Sequence, residues 1–370
     1  LYIKQDKHAE AVEMLKKGLG KAKNTDVLNQ LRYEISRVLH LLGRTEEAIS
    51  FMEDNLKTIN ASEGEMALLS QFSMAEFQFS KKEYAQALGY YESSFKEGGE
   101  DLKLDALYKI GWCHRFLKDL TKAYASFDKL YKLEKKSKIK YGQEIPFLMA
   151  QLLQEKKDLV QARKYYKDVI SFNKGYAPES ILALAELEFE VGDFKQVVKL
   201  LKGFLVSFRR HSLLSNVHFL LAESAYEIND VKLAKSSYRS VIVSKASAAP
   251  REDALYGSSW LLYENNESEQ ALKDINLLLK DFPETAYKES AIQLKGKILR
   301  QLNRLEEAKT FLSSGISAMD KGNGEAIILD LAKIETELNN PDKALELYNK
   351  LLSDFPNTEL RGMVTYEKGW

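Results

Sequence analysis

A small residue recurs along the whole chain at nearly constant intervals of 35 to 39 residues. A bulky apolar residue follows each one four positions later, and in nine copies another small residue precedes it by twelve. The recurring small residues are Ala11, Ala48, Ala87, Ala123, Ala162, Val197, Ala234, Ala271, Ala308 and Ala344. Small residues let two helices approach closely, so each copy predicts a helical pair. A regular period of this length is typical of a solenoid.

The stretch from Leu104 to Tyr131 shows one unit clearly, as two amphipathic helices joined by a turn. The turns inside the units, such as residues 42–48 and 338–344, contain Gly or Asn where the first helix ends. This predicts a left-handed residue after that helix. Asp, Thr or Asn follows, which predicts a side-chain cap for the next helix, and Pro341 suits a first helical turn.

This pattern resembles the tetratricopeptide repeat, including Pro283 and Pro356 at the proline position near the end of that repeat. The resemblance covers essentially the whole chain. It implies an all-α fold, an α-solenoid of about ten helix-turn-helix repeats that forms a right-handed superhelix. First helices would line a concave groove. We therefore expect residues 1–370 to form a single solenoid, with repeats centred near the ten small residues.

The repeat at 105–112 and the DFPxT links at 281–285 and 354–358 are similar to repeats of bacterial cell-envelope proteins. Examples are Tol–Pal accessory proteins, outer-membrane assembly lipoproteins and motility-associated scaffolds. The likeness implies a periplasmic or cell-envelope location, with the cytoplasm as the alternative. Because the chain begins at Leu1 and stops within the repeat pattern, we expect it to be a fragment of a longer protein.

Charge and composition limit the possible functions. With 54 basic and 54 acidic residues, the formal net charge is zero, which gives no electrostatic case for a nucleic-acid partner. No apolar run approaches the roughly 20 residues of a membrane span. The single cysteine, Cys113, excludes an intrachain disulfide.

Signals for catalysis are weak. The five histidines have no metal-ligand spacing, so neither a metal nor another cofactor is expected. Cys113 and His114 are helix neighbours whose side chains diverge by about 100°, which predicts a buried thiol beside a surface imidazole. His211 and His218 would lie two turns apart if one helix held both. We expect a non-enzymatic protein.

The groove expected from the family resemblance is rich in aromatic and acidic residues. Trp112, Trp260 and Trp370 occupy the same slot of three repeats, and each has a tyrosine four residues earlier. The sequence DALY occurs at both 105–108 and 253–256. Aromatic side chains at a wet surface are typical binding anchors. The predicted partner-binding residues are Tyr108, Trp112, Glu186, Glu190, Glu223, Tyr226, Tyr256, Trp260 and Tyr263.

Alternatives remain for some of these slots. Phe72, Phe147 and Phe219 occupy positions that either line the groove or pack against the next repeat. No repeat has the Lys–Asn pair with which chaperone-binding members of the family hold a carboxylate, so that role is disfavoured.

The sequence therefore predicts a protein-interaction scaffold that binds a protein or peptide segment with apolar and basic residues. One alternative is a structural subunit that self-assembles into a ring or filament, as in motility or secretion machinery, through its ends or outer face. Another is a cytoplasmic adaptor.

Overall fold

The computed structural model describes residues 7–59, 64–135, 139–244, 248–317 and 324–369, and in these ranges every regular element is an α-helix. The helices are α1 (His8–Leu19), α2 (Thr25–Leu41), α3 (Thr45–Thr58), α4 (Glu65–Ser80), α5 (Tyr84–Glu97), α6 (Glu100–Phe116), α7 (Leu120–Glu134), α8 (Glu144–Glu155), α9 (Leu159–Ser171), α10 (Ala177–Glu190), α11 (Phe194–Ser207), α12 (Leu214–Glu227), α13 (Val231–Val243), α14 (Ala248–Glu264), α15 (Ser268–Asp281), α16 (Lys288–Gln301), α17 (Leu305–Ser317), α18 (Glu325–Glu337), α19 (Pro341–Asp354) and α20 (Arg361–Gly369). The predicted all-α fold is confirmed.

The chain divides into two compact units, Leu1–Ser180 and Ile181–Trp370. Even-numbered helices are the first helices of the repeats and odd-numbered helices are the second ones. Within each unit a first helix packs against the second helix that follows it, as in α6 with α7 and α14 with α15. The single superhelical solenoid over residues 1–370 stays a prediction.

The recurring small residues form the contact between the two helices of each repeat. All ten are at most 4% exposed. A Cβ atom added at Gly111 would lie 2.6 Å from Cε1 of Phe127, and one added at Gly296 would lie 2.5 Å from Cδ2 of Leu312. Phe127 and Leu312 are the bulky residues that follow the recurring alanines. The sequence period therefore reflects close packing that tolerates no larger side chain.

The turn inside each repeat contains one residue with a positive φ angle. It is a glycine or asparagine in six repeats, as predicted, at Gly43, Gly192, Asn229, Asn266, Asn303 and Asn339. The prediction is wrong in three consecutive repeats of the first unit, where Lys82, Lys118 and Lys157 adopt φ angles of 63° to 65°. This conformation is unfavourable for a lysine, so these turns are strained.

The predicted side-chain caps form where the residue is aspartate. Asp119 and Asp158 in the first unit, and Asp193 and Asp230 in the second, each accept a hydrogen bond from the backbone amide three residues later. The prediction is wrong for Asn340, whose side-chain amide donates to Glu335 instead. Pro341 begins α19, as expected.

Within the described residues, each helix is too short or too polar to span a membrane.

Candidate partner-binding site

Four of the predicted residues, Glu223, Tyr226, Tyr256 and Trp260, line one cavity of about 290 Å³ in the second unit. The first two lie on α12 and the other two on α14. The remaining lining residues are Phe219, Tyr238, Asp253, Gly257 and Tyr287. We call these nine residues the second-unit site.

Tyrosine hydroxyl groups hold both carboxylates of the second-unit site. Tyr238 donates to Oε1 of Glu223 at 2.5 Å, and Tyr287 donates to Oδ1 of Asp253 at 2.7 Å. The ring of Tyr287 stacks on that of Tyr256, with centroids 4.5 Å apart and an interplanar angle of 6°. The two acids are therefore fixed within a wall of aromatic rings.

The second-unit site is acidic, and none of its lining residues is a lysine or arginine. Burial raises the pKa of Glu223; the hydrogen bond from Tyr238 lowers it in part, and the charges of Asp253 and Glu227 raise it further. The bond to Asp253, together with burial, raises the pKa of Tyr287 to about 12. Among the described residues, neither Glu223 nor Asp253 forms an ion pair.

Trp260 lies at the rim of the cavity and is half-buried. Its indole N–H donates to Oε1 of Glu264 at 2.9 Å, while Tyr226 donates to Oε2 of the same carboxylate at 2.8 Å. The Lys297 ammonium lies 5.8 Å from the Trp260 ring centroid, and the Tyr263 ring lies 6.0 Å from it. These contacts fix the indole ring at the edge of the second-unit site.

The other predicted residues lie elsewhere. Glu186 and Glu190 are exposed on α10 and do not line the cavity. Tyr366 is 64% exposed, and Trp370 lies outside the described residues. Tyr108 and Trp112 belong to the first unit.

The first unit contains a counterpart built from corresponding repeats. The repeats align by their small residues, Ala75 with Ala222 and Gly111 with Ser259. In chain order, the counterparts of the nine second-unit residues, from Phe219 to Tyr287, are Phe72, Glu76, Phe79, Tyr91, Asp105, Tyr108, Lys109, Trp112 and Tyr141. We call these nine residues the first-unit site. Both acids, the tryptophan and three of the four tyrosines are kept. Phe79 stands where the second unit has Tyr226, and Lys109 stands where it has Gly257.

The hydrogen bonds that tyrosines donate to the two carboxylates match in the two sites. Tyr91 donates to Oε1 of Glu76 at 2.5 Å, and Tyr141 donates to Oδ1 of Asp105 at 2.5 Å. The Tyr141 ring stacks on Tyr108, with centroids 4.2 Å apart and an interplanar angle of 7°. The DALY repeat therefore marks one local structure that occurs in each unit.

Two lysines of the chain itself occupy the first-unit site. The Lys109 ammonium lies 2.9 Å from Oε1 of Glu76 and 4.9 Å from the Phe79 ring centroid. The Lys140 ammonium lies 2.5 Å from Oδ1 of Asp105. Both carboxylates of the first-unit site are thus neutralised internally.

Phe72 and Phe147 are half-buried and contact the bulky tyrosine of their own repeats, at 5.4 Å from Tyr91 and 6.1 Å from Tyr166 between ring centroids. Phe219 is half-buried too and also faces the cavity.

A larger cavity of about 380 Å³ lies near Tyr131 and Phe172, away from the predicted residues. Its acid, Glu134, already accepts hydrogen bonds from the backbone amides of Lys140, Tyr141 and Gly142. These bonds give Glu134 a structural role in fixing the segment that precedes α8.

Cys113 and the five histidines are the candidates for a catalytic nucleophile or base. Burial raises the pKa of the Cys113 thiol to about 12, so it is protonated at neutral pH. The expected surface position of His114 is wrong, because this residue is 8% exposed and packs inside its repeat. His211 precedes α12, which holds His218, so one helix does not carry both. Across the described ranges, no His, Cys, Asp and Glu residues cluster as metal ligands.

Sequence reasoning missed Tyr238, Asp253, Gly257 and Tyr287 as members of the site. A signal was present, because Tyr141 and Tyr287 stand at equivalent places before their first helices, 36 and 34 residues after the two DALY aspartates.

The chain was compared with solved structures, and its similarity to one of them shows the fold. The chain is similar to the apo form of RapI, with 12% identity and a TM-score of 0.55 over 88% of this chain and 97% of that one. A tetratricopeptide repeat protein from Parabacteroides merdae matches with 13% identity and a TM-score of 0.45, over 70% of this chain and 96% of that one. A MamA protein matches with 17% identity and a TM-score of 0.42, over 48% and 91%.

Family comparisons point the same way. A tetratricopeptide repeat-like domain matches residues 193–336, and the tetratricopeptide repeat itself matches 105–137 and 326–358. No curated protein matches the sequence significantly. Proteins of this kind are generally non-enzymatic scaffolds for protein–protein interaction. The matched segments and the hairpins of packed helices make this chain a tetratricopeptide-repeat protein.

Proposed function

We propose that this protein is an interaction scaffold whose second-unit site binds a segment of a protein partner with apolar and basic residues. The observation that carries the proposal is the cavity of about 290 Å³ lined by aromatic rings and two carboxylates. Aromatic rings supply large contact areas for an apolar anchor, and acids favour a basic neighbour.

Peptides selected from a displayed random library on the immobilised protein test this proposal. The selected peptides should combine apolar and basic residues. Trp260→Ala should weaken their binding about tenfold or more, since aromatic anchors dominate such interfaces. Trp112→Ala is the matched control and should change binding little, because its site is filled internally.

Circular dichroism should show unchanged helicity in both variants. Unchanged peptide binding by Trp260→Ala, or an equal loss with Trp112→Ala, would contradict the proposal.

The bacterial cell envelope is the proposed setting. Its support is the likeness of residues 105–112 and of the DFPxT links to envelope repeats. Fractionation of cells that produce the protein at its native level would test this location.

A further inference from the structure

The second-unit site differs from the first-unit site by the loss of both lysines. Gly257 replaces Lys109, and Ala286, directly before Tyr287, replaces Lys140. Both acids and all three hydrogen-bonding or stacking tyrosines remain. The second unit therefore keeps the acceptors for two ammonium groups and lacks the groups themselves.

Gly257 marks where the missing side chain would start. A Cβ atom added there would lie 2.7 Å from the hydroxyl oxygen of Tyr238, which itself binds Glu223. In the first unit, the Lys109 side chain starts at this place and ends on Glu76. Because the 2.7 Å contact is too short, the Tyr238 side chain partly fills this starting point in the second unit. Gly257, Tyr238 and Glu223 all line the cavity, which therefore lies next to the position from which a lysine extends in the other copy.

We infer that the second-unit site binds the primary ammonium group of a lysine side chain supplied by the partner, in the position that Lys109 fills in the first-unit site. This inference rests on the proposed function and names the group that the site recognises.

The surrounding groups suit an ammonium ion. Tyr238 and Tyr287 each occupy one named carboxylate oxygen, Oε1 of Glu223 and Oδ1 of Asp253, and the second oxygen of each acid can accept from an N–H donor. Tyr226 and Trp260 line the same cavity, and aromatic faces attract cations. A charge-assisted hydrogen bond to a carboxylate is about twice as strong as a neutral one.

Two nearby lysines form contacts with groups other than the two carboxylates of the second-unit site. Lys288 follows Tyr287, but its ammonium lies 3.9 Å from Glu284. Lys297 lies over the Trp260 ring and is not a lining residue of the cavity. Neither replaces the two missing lysines.

NMR of the intact chain tests this inference. With tryptophan labelled by ¹⁵N, three indole signals report on Trp112, Trp260 and Trp370, assigned through single Trp→Phe variants. The probe is Nα-acetyl-lysine methylamide. We expect it to shift the Trp260 signal and to leave the Trp112 signal unchanged.

Three comparison probes define the recognised group. The Nε-acetylated probe has no charge and should give no shift. The arginine and Nε-trimethyl-lysine analogues should bind more weakly, because the site is matched to a compact group with N–H donors. Equal or tighter binding of any of the three would overturn the assignment of a primary ammonium group.

Matched variants locate the binding. Glu223→Gln should raise the probe concentration needed for half the shift about tenfold, whereas Glu76→Gln should leave it unchanged. Absence of a Trp260 shift with the lysine probe overturns the inference. If selected peptides still lose binding with Trp260→Ala in that case, the proposed function stands and only the lysine assignment fails.

Discussion

The first-unit and second-unit sites share one framework and differ in whether lysines of the chain itself pair with their two carboxylates. In the first, Lys109 and Lys140 neutralise Glu76 and Asp105. In the second, the same two carboxylate positions are bound by tyrosine hydroxyls alone among the described residues. Under the proposed function, the absence of two lysine side chains distinguishes a binding site from an internal ion-pair cluster built on the same framework.

The largest expected effect comes from returning a lysine to the second-unit site. Gly257→Lys should place an ammonium group beside Glu223 and abolish the response to the lysine probe. The new Cβ atom would lie 2.7 Å from the Tyr238 hydroxyl oxygen, so the Tyr238 side chain must shift. In the first unit Lys109 and Tyr91 both bind Glu76, which shows that the two side chains fit together after such a shift. Gly257→Ala requires the same shift without adding the charge and should keep binding. NMR titration measures the binding of the lysine probe to both variants. Retained binding by Gly257→Lys would contradict the claim that the missing lysine leaves the second-unit site open.

The reverse change should open the first-unit site. The double variant Lys109→Ala, Lys140→Ala leaves Glu76 and Asp105 without their cations. The lysine probe should then shift the Trp112 signal. Loss of these partly buried pairs should lower the free energy of unfolding by about 1–2 kcal/mol, measured with urea. A Trp112 signal that does not shift when the probe is added would show that the two frameworks are not equivalent.

Acidification should weaken binding at the second-unit site. Burial and the charges of Asp253 and Glu227 hold the pKa of Glu223 above the ordinary value of 4.5, so this carboxylate is protonated before an exposed one. The affinity for the lysine probe should therefore fall as pH is lowered from 7 towards 4.5. Tyr238 and Tyr287 stay protonated over this range. In Glu223→Gln this part of the pH dependence should disappear, and its persistence would assign the effect to another group.

Because the pKa of Glu223 is higher in the folded state than in the unfolded state, this group stabilises the folded protein most at pH values below the ordinary carboxyl pKa. That contribution is lost as pH rises through the raised pKa.

The smallest expected effect comes from substitutions in the turns inside the repeats, compared between the two units. Lys118 adopts a positive φ angle of 63°, and Asn266 takes the equivalent place in the second unit at 59°. Lys118→Gly should stabilise the protein by about 0.5–1 kcal/mol, because glycine adopts this conformation without strain. Asn266→Gly should change stability by only a few tenths of a kcal/mol. Urea unfolding monitored by circular dichroism distinguishes the two.

The fold could be predicted because its determinants are local and repeated. A buried alanine, a bulky residue one turn later and a small partner on the preceding helix specify one packing contact, as Ala123, Phe127 and Gly111 show. The positive φ angles of the three turn lysines could not be predicted, since local preference favours Gly or Asn in that conformation.

The candidate site was predicted in part. Glu223, Tyr256 and Trp260 occupy slots of single helices, which periodicity identifies. Tyr287 joins the site through a contact with Asp253 in another repeat, which no helical period encodes. The role of Gly257 depends on a side chain that is missing, and only alignment with Lys109 reveals it.

Exchanging the lysines between the two sites tests the central claim most directly. In the triple variant Lys109→Ala, Lys140→Ala, Gly257→Lys, the lysine probe should no longer shift the Trp260 indole signal and should shift that of Trp112. A response that stays at Trp260, or that occurs at neither tryptophan in both the triple variant and the unmodified protein, would contradict the claim that these lysines decide which site is open.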